Sequence, residues 1–377
     1  MSRLIVPALL AVLVVGIAAP SVSDDMGEIA RAGQWQVGVL RLPEAWRLSR
    51  GAGVLVAVLD TGVNSRHPDL EGTVIQGPDL TGTARSLWGQ HGTAMASLIA
   101  GRGHGDGRGV IGVAPEAEVL SVRVTLENGD PLREKQRSGA GDALAKGIRY
   151  AVDHGADVIS MSLGGGSGSW EGSAPEEEAV QYAIGKGAVL VASSGNDGDT
   201  ANRKNFPAAY PGVIAVGAVD RGLKVARFSN RQDYLSVVAP GTEIVTADGS
   251  DSYVVGDGTS SAAAMVAGIA ALVRAAHPDM SPYLVRRAIE LGTRKRPADG
   301  HSRAYGHGVA NALLALRAAD RLGAPAAALP RPGAYFGFGD GPPPGSRVPV
   351  VVGMLVLVAA MSARVIVRHR RRARDST

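Results

Sequence analysis

The chain has no cysteine among its 377 residues. That excludes a disulfide framework, a cysteine zinc site and a thiol nucleophile. It says little about compartment, because a chain this long can bury a core that needs no covalent staples. The main body also lacks net charge. The formal charge is +4, and residues 368–377 alone carry five arginines and one aspartate, which is also +4. The remainder holds 34 basic and 34 acidic residues and is neutral. The basic character is therefore a property of one tail, and no nucleic-acid partner is expected for the rest. No His-x-x-x-His or cysteine spacing exists, so the scattered histidines give no zinc site and no cofactor is expected. No internal repeat is evident. There is also little room for a pro-domain: only Asp24 to Gly53 separate the expected leader from the first strand. Trp35 and Trp46 in that stretch are expected to anchor it on the domain that follows.

What is present begins with glycine, at 51 residues, which implies many tight turns and close backbone approaches. The N-terminus has the layout of a secretory signal peptide, expected over 1–23: Arg3, an apolar run from Leu4 to Ala19, then Ser21-Val22-Ser23. At the other end, residues 348–367 are apolar except for Arg364 and fit one membrane span. The arginine-rich tail at 368–377 places the C-terminus in the cytoplasm and the main domain outside. Residues 322–347 are rich in proline and glycine, including Pro342-Pro343-Pro344, and read as a linker. Residues 24–50 form an N-terminal extension and 51–321 the main domain.

Within that domain short β-branched runs alternate with helical stretches. Strands are expected at 54–59, 119–124, 157–163, 188–192, 213–219, 235–238 and 244–247. Helices are expected at 141–154, 175–186, 261–276 and 281–291. The alternation implies an α/β fold, a mostly parallel sheet with helices on both faces, followed by a C-terminal transmembrane helix.

Acyl transfer needs a nucleophile, a base to take its proton and a carboxylate to orient the base. Three local sequences offer one member each. Val56-Ala57-Val58-Leu59-Asp60-Thr61-Gly62 ends a buried strand in an aspartate, which would emerge at the carboxyl edge of the sheet. His91-Gly92-Thr93-Ala94-Met95-Ala96 puts a histidine before a helix of small residues. Gly258-Thr259-Ser260-Ser261-Ala262 puts a serine at a helix start, where developing negative charge is favoured. Singly, each has a plain structural reading, as a turn residue or a helix cap.

Together, and in that order, the three segments resemble the signatures of the subtilases, whose chain order is aspartate, histidine, serine. Val191-Ala192-Ser193-Ser194-Gly195-Asn196 resembles the oxyanion-hole motif of that family. The resemblance implies a subtilisin-like serine endopeptidase acting on a protein or peptide substrate. In it Asp60 orients His91, His91 is general base and then acid, Ser260 is the nucleophile, and Asn196 shares the oxyanion with the Ser260 N–H. Ser162-Leu163-Gly164 resembles the strand that pairs with extended substrate. Ala264 and Met265 stand where subtilases usually have proline and histidine; both lie a turn inside the serine helix, so packing should change more than chemistry. His67-Pro68-Asp69-Leu70 resembles a segment whose aspartate often ligates calcium in the family, but no other ligand of that site is identifiable, and no metal is expected.

The full layout, with leader, short extension, peptidase domain, proline-rich linker, span and basic tail, is similar to the mycosins. Those are membrane-anchored subtilases of type VII secretion systems. This resemblance implies a membrane location and a secretion complex as partner. Two other readings compete. One is an α/β-hydrolase esterase using Ser260, Asp299 and His307; it lacks the second glycine of a nucleophile elbow, since Ala262 stands there. The other is a non-catalytic structural component of a membrane secretion complex. Of the remaining histidines, His104 reads as a solvated loop residue and His307 as packing against the last helix.

Overall fold

The computed structural model describes residues 25–83, 89–133, 142–164, 172–249 and 251–323. The expected leader, span and tail, and the linker beyond Gly323, lie outside these residues. In chain order the strands are β1 (Leu55–Asp60), β2 (Val74–Asp79), β3 (Arg102–His104), β4 (Arg108–Ile111), β5 (Glu118–Arg123), β6 (Val158–Met161), β7 (Val189–Ser193), β8 (Ile214–Val219), β9 (Leu235–Pro240), β10 (Ile244–Ala247), β11 (Tyr253–Gly256), β12 (Thr293–Arg294) and β13 (Val309–Ala310). Nine of them form one sheet in the order β12-β13-β9-β8-β7-β6-β1-β5-β2. Every pairing in it is parallel except that of β12 with β13.

A parallel sheet covered on both faces needs strands that are apolar on both sides. Strand β1 meets that need residue by residue. Val56 and Val58 enter the core on one face, and Ala57 and Leu59 the core on the other. The first face carries the histidine helix (Gln90–Ala100), the serine helix (Thr259–Ala276) and helices Pro282–Leu291 and Ala312–Leu322. The second carries Ala143–Asp153 and Ala174–Gly185. The resulting α/β architecture is the expected mostly parallel sheet, with the helices split between its two faces.

The serine helix is buried all round, from Ser261 through Arg274. Its alanines let it lie close to the sheet and to the histidine helix. Ala264 and Met265 are both fully buried in this core. It is also the one helix among the described residues long and apolar enough to cross a membrane, but 83% of it is enclosed by the domain, as a core helix is.

The stretch before β1 lies against the domain as three short helices, Asp25–Ala32, Gln36–Val39 and Leu42–Ala45. Trp46 Nε1 donates to Val113 O at 2.8 Å, and Trp35 Nε1 to Thr242 O at 3.2 Å. Gln34 exchanges two hydrogen bonds with the backbone of Ile111, both at 2.9 Å. Leu40, Leu42 and Ala45 are part of the main core.

The structure departs from the sequence reading in several places. Strand 244–247 is not in the main sheet; it pairs antiparallel with β11 as a separate ribbon. His91 lies inside the first turn of its helix, not before it. His104 is not simply solvated: its Nδ1 donates to Asp69 Oδ1 at 2.6 Å. Asp69, fully buried, also accepts from Val110 N at 2.7 Å. Among the described residues no three acidic or histidine side chains cluster as a metal cradle. His307 does pack against 281–291, the last helix read from the sequence: its Nε2 lies 3.6 Å from Glu290 Oε2, and its ring meets the His301 ring edge-on.

Candidate active site

Strand β1 delivers Asp60 to the carboxyl edge of the sheet, 1% exposed. Its Oδ1 accepts from Thr61 N at 2.7 Å and from His91 Nδ1 at 2.7 Å. The Nδ1–H is thereby committed to Asp60, which leaves Nε2 of the neutral ring as the basic nitrogen. Asp60 Oδ2 is buried with no partner. His91 itself is about one-third exposed, at 30%, on the cleft side. Burial pushes its imidazole down. The Asp60 carboxylate, by charge and by hydrogen bond, and the charge of Glu127 push it up. They prevail over burial and over Arg133, so His91 stands above its ordinary value of 6.5.

Asp60 and His91 can meet because glycines face each other beside them. Gly62 has φ +99°, and a Cβ added to Gly92 would overlap the Gly62 carbonyl oxygen.

Ser260 stands in the first turn of the serine helix. Its Oγ donates to Ser162 O at 3.1 Å, and Ser162 Oγ donates back to Ser260 O at 2.9 Å. The hydroxyl is thus not hydrogen-bonded to His91 in this structure, although both line one cleft with Asp60. Bonds of this kind often tighten only when substrate is bound.

Asn196 lies across the same cleft, on the loop after β7. Its Oδ1 accepts from Thr259 N and Thr259 Oγ1, both at 2.9 Å. Two donors on the oxygen fix the amide orientation and leave the Nδ2 protons for another acceptor. A Cβ on Gly258 would sit 3.7 Å from both Asn196 Nδ2 and Ser260 N, so the two N–H donors border one small volume. An oxyanion placed there would find both. Ser162, Leu163 and Gly164 follow β6 along the cleft wall, and Leu163 O accepts from Ser193 Oγ at 3.2 Å.

Every sequence-predicted site residue, Asp60, His91, Asn196, Ser260 and Ser162 to Gly164, lines this one cleft of about 240 Å³. Asp299 and His307 do not line it. His307 Nδ1 donates to Gly300 O at 2.7 Å, and burial, prevailing over nearby Glu290, holds its pKa below the ordinary value. The esterase grouping with Ser260 is therefore not formed.

Sequence reasoning missed the supports. Asn230, fully buried, accepts from Asp197 N at 2.8 Å and donates to Arg203 O at 2.9 Å, bracing the Asn196 loop. Asn205 donates to Ser193 O at 2.8 Å, and a Cβ on Gly164 would run into its amide. Glu127, 4% exposed, lines the cleft and accepts from the backbone of the histidine helix. Each is a lone polar residue in a loop, with no local pattern to mark it.

Residues 51–308 match the Subtilase family. Thermitase of Thermoactinomyces vulgaris is 38% identical over 275 residues, covering 71% of this chain and 92% of thermitase. The crystal structure of fervidolysin from Fervidobacterium pennivorans, a keratinolytic enzyme related to subtilisin, superposes with a TM-score of 0.67 at 33% identity. It covers 77% of this chain and 47% of that longer one. The MycP3 protease from the type VII (ESX-3) secretion system superposes with a TM-score of 0.63 at 30% identity, covering 75% of this chain and 88% of that one. By family match, identity and fold, the chain is a serine-type endopeptidase of the subtilase family.

Proposed function

We propose that this endopeptidase cuts extended peptide through Ser260, His91 and Asp60, from the outer face of a membrane and beside a type VII secretion complex. The observation that carries the catalytic part is the 2.7 Å bond from His91 Nδ1 to buried Asp60, in one cleft with Ser260 and Asn196. Ser260 Oγ attacks the scissile carbonyl while His91 Nε2 takes its proton. Asp60 keeps the imidazole in the required tautomer and stabilises the imidazolium. The tetrahedral oxyanion receives N–H from Asn196 and from Ser260. His91 then returns the proton to the leaving amine, and water repeats the cycle on the acyl-enzyme. Ser162 to Gly164 pair with the substrate as an added strand.

The secretion part is supported by the similarity to MycP3 and by the expected span at 348–367 with its linker and arginine tail. A tether raises the local concentration of catalyst at one membrane site, which helps if the substrate emerges there. The same tether lets the domain brace a complex. Ser260→Ala removes one oxygen, so it separates the roles. Cells carrying Ser260→Ala should keep secreting and lose substrate processing, while deletion of the whole chain stops secretion. Equal blocks in both would sink the bracing role, and no effect in either would sink the secretion assignment. In the same cells, external protease that reaches the arginine tail would overturn the proposed topology.

A further inference from the structure

The histidine helix has no side-chain cap of its own. Gly89 precedes it in a left-handed conformation and offers no side chain to the first turn. The first N–H groups of a helix have no partner within it and must be satisfied from outside. Here Gly92 N donates to Thr61 Oγ1 at 3.0 Å and Thr93 N to Gly89 O at 3.1 Å. The other two go to a single atom far along the chain. Gln90 N and His91 N donate to Glu127 Oε1 at 2.7 and 3.0 Å. Glu127 is 4% exposed and belongs to the loop that leaves β5, the strand next to β1. So two carboxylates from the ends of adjacent strands grip one residue. Asp60 holds the His91 ring, and Glu127 holds its backbone.

On the reading that His91 is the general base, we propose that Glu127 is a positioning residue for it: the buried carboxylate pins the backbone of His91 and lends a second negative charge that favours the imidazolium formed in the transition state. Capping alone needs only an acceptor, and a neutral side chain would serve. A carboxylate beside the cleft adds a field. The charged groups around His91 are Asp60 at the end of β1, Glu127 and Arg133 beyond β5, Asp197 on the facing loop, and Asp248 on the loop that packs against Gln90. Arg133 opposes Glu127, and the balance among them leaves His91 raised.

Charge and cap can be told apart in the full-length protein. Glu127→Gln keeps an acceptor in place and removes the charge. Its thermal midpoint should stay close to wild type, KM for a peptide substrate should hold, and the acidic limb of the kcat/KM profile should move to lower pH. Its kcat should fall by about tenfold, below the 10²–10⁴ that positioned acid–base catalysis supplies in total. Glu127→Asp keeps the charge but shortens the reach, so its midpoint should fall while the limb stays near wild type. A Glu127→Gln enzyme with a wild-type limb and kcat makes the residue a mere cap and overturns the proposal. If that variant does not fold, a displaced limb in Glu127→Asp overturns it instead. Ser260→Ala is assayed in parallel: retained activity there would overturn both this inference and the site reading. A dead Ser260→Ala beside an unmoved Glu127→Gln profile would remove this inference alone.

Discussion

Replacing Gly92 by alanine tests how the site is assembled. Gly92 follows His91 and faces Gly62, which lies two residues past Asp60. A Cβ on Gly92 would overlap Gly62 O and lie 2.9 Å from Gly62 C and 3.2 Å from Gly62 N. All three are backbone atoms, so no side-chain rotation relieves the clash. Gly62 at φ +99° is already in a conformation that other residues avoid. Carbon atoms pack at ~3.5–4.0 Å, so relief takes a separation on the order of 1 Å. That separation acts directly on the 2.7 Å bond between Asp60 and His91. A misplacement of about 1 Å can cost on the order of 10² in rate, and overpacking a filled core costs ~1–3 kcal/mol. Gly92→Ala should therefore lose on the order of 10² in kcat/KM. Its thermal midpoint should fall by about 2–4 °C for each kcal/mol. Fluorophosphonate labelling rates and a melting curve measure both. Gly38→Ala is the control, since a Cβ there meets nothing within 4 Å, and it should change neither. A Gly92→Ala protein with the wild-type labelling rate and midpoint would refute the argument.

Other outcomes follow from the same geometry. Asn196→Ala should lower kcat by about 10²–10³, the loss known for deleting one oxyanion donor. Thr259→Val keeps the backbone bond to Asn196 Oδ1 and loses the hydroxyl one, so its kcat should fall less, with KM unchanged; equal losses would mean that Thr259 does more than orient the amide. Because His91 stands above 6.5 and, as the proposed base, must be neutral to act, wild-type activity should fail with falling pH at a value above 6.5, as a kcat/KM profile would record. Burial would raise Glu290, but the charges and hydrogen bonds of Arg286, with His307 and Arg287, prevail and hold it below 4.5. Its stabilisation is then present above 4.5 and lost as pH falls through the depressed value, so Glu290→Gln should flatten the acid side of a plot of melting midpoint against pH. Residues 24–321 expressed alone should fold without a pro-region; a product that stays molten until a pro-domain is added in trans would contradict this.

The legible parts of the fold were those whose physics is local. Strands β1, β7, β8 and β9 are buried on both faces, so each is a short, mostly apolar run in the sequence, and β5 keeps enough valine and leucine to show despite Ser121 and Arg123. The structure moves their ends by a residue or two and no more. Strand β2 escaped notice because it is the sheet's edge, half exposed, with Gly77 and Pro78 inside it. Strands β12 and β13 span two residues each, too short to leave a pattern. The 244–247 run was legible as a strand but not as a ribbon. Its partner β11 carries Val254 and Val255 exposed, so nothing in its composition says where it pairs.

The site divides along the same line. The residues proposed to do the chemistry sit in motifs because their immediate neighbours must obey steric rules. Gly92 must be glycine to let the histidine helix touch the Asp60 loop, and small residues must follow Ser260 to let its helix enter the core. Such rules act over a few positions and leave a readable string. The residues that hold the chemistry in place obey no such rule. Glu127 meets His91 across 36 positions, and Asn230 meets Asp197 across 33. A buried carboxylate in a loop and a solvated one look alike in sequence. Only the ladder between β1 and β5, which sets Asp60 beside Arg123, brings the Glu127 loop to the start of the histidine helix. Parallel pairing of those two strands thus does what no motif records: it delivers both carboxylates to the same histidine, one to its ring and one to its backbone.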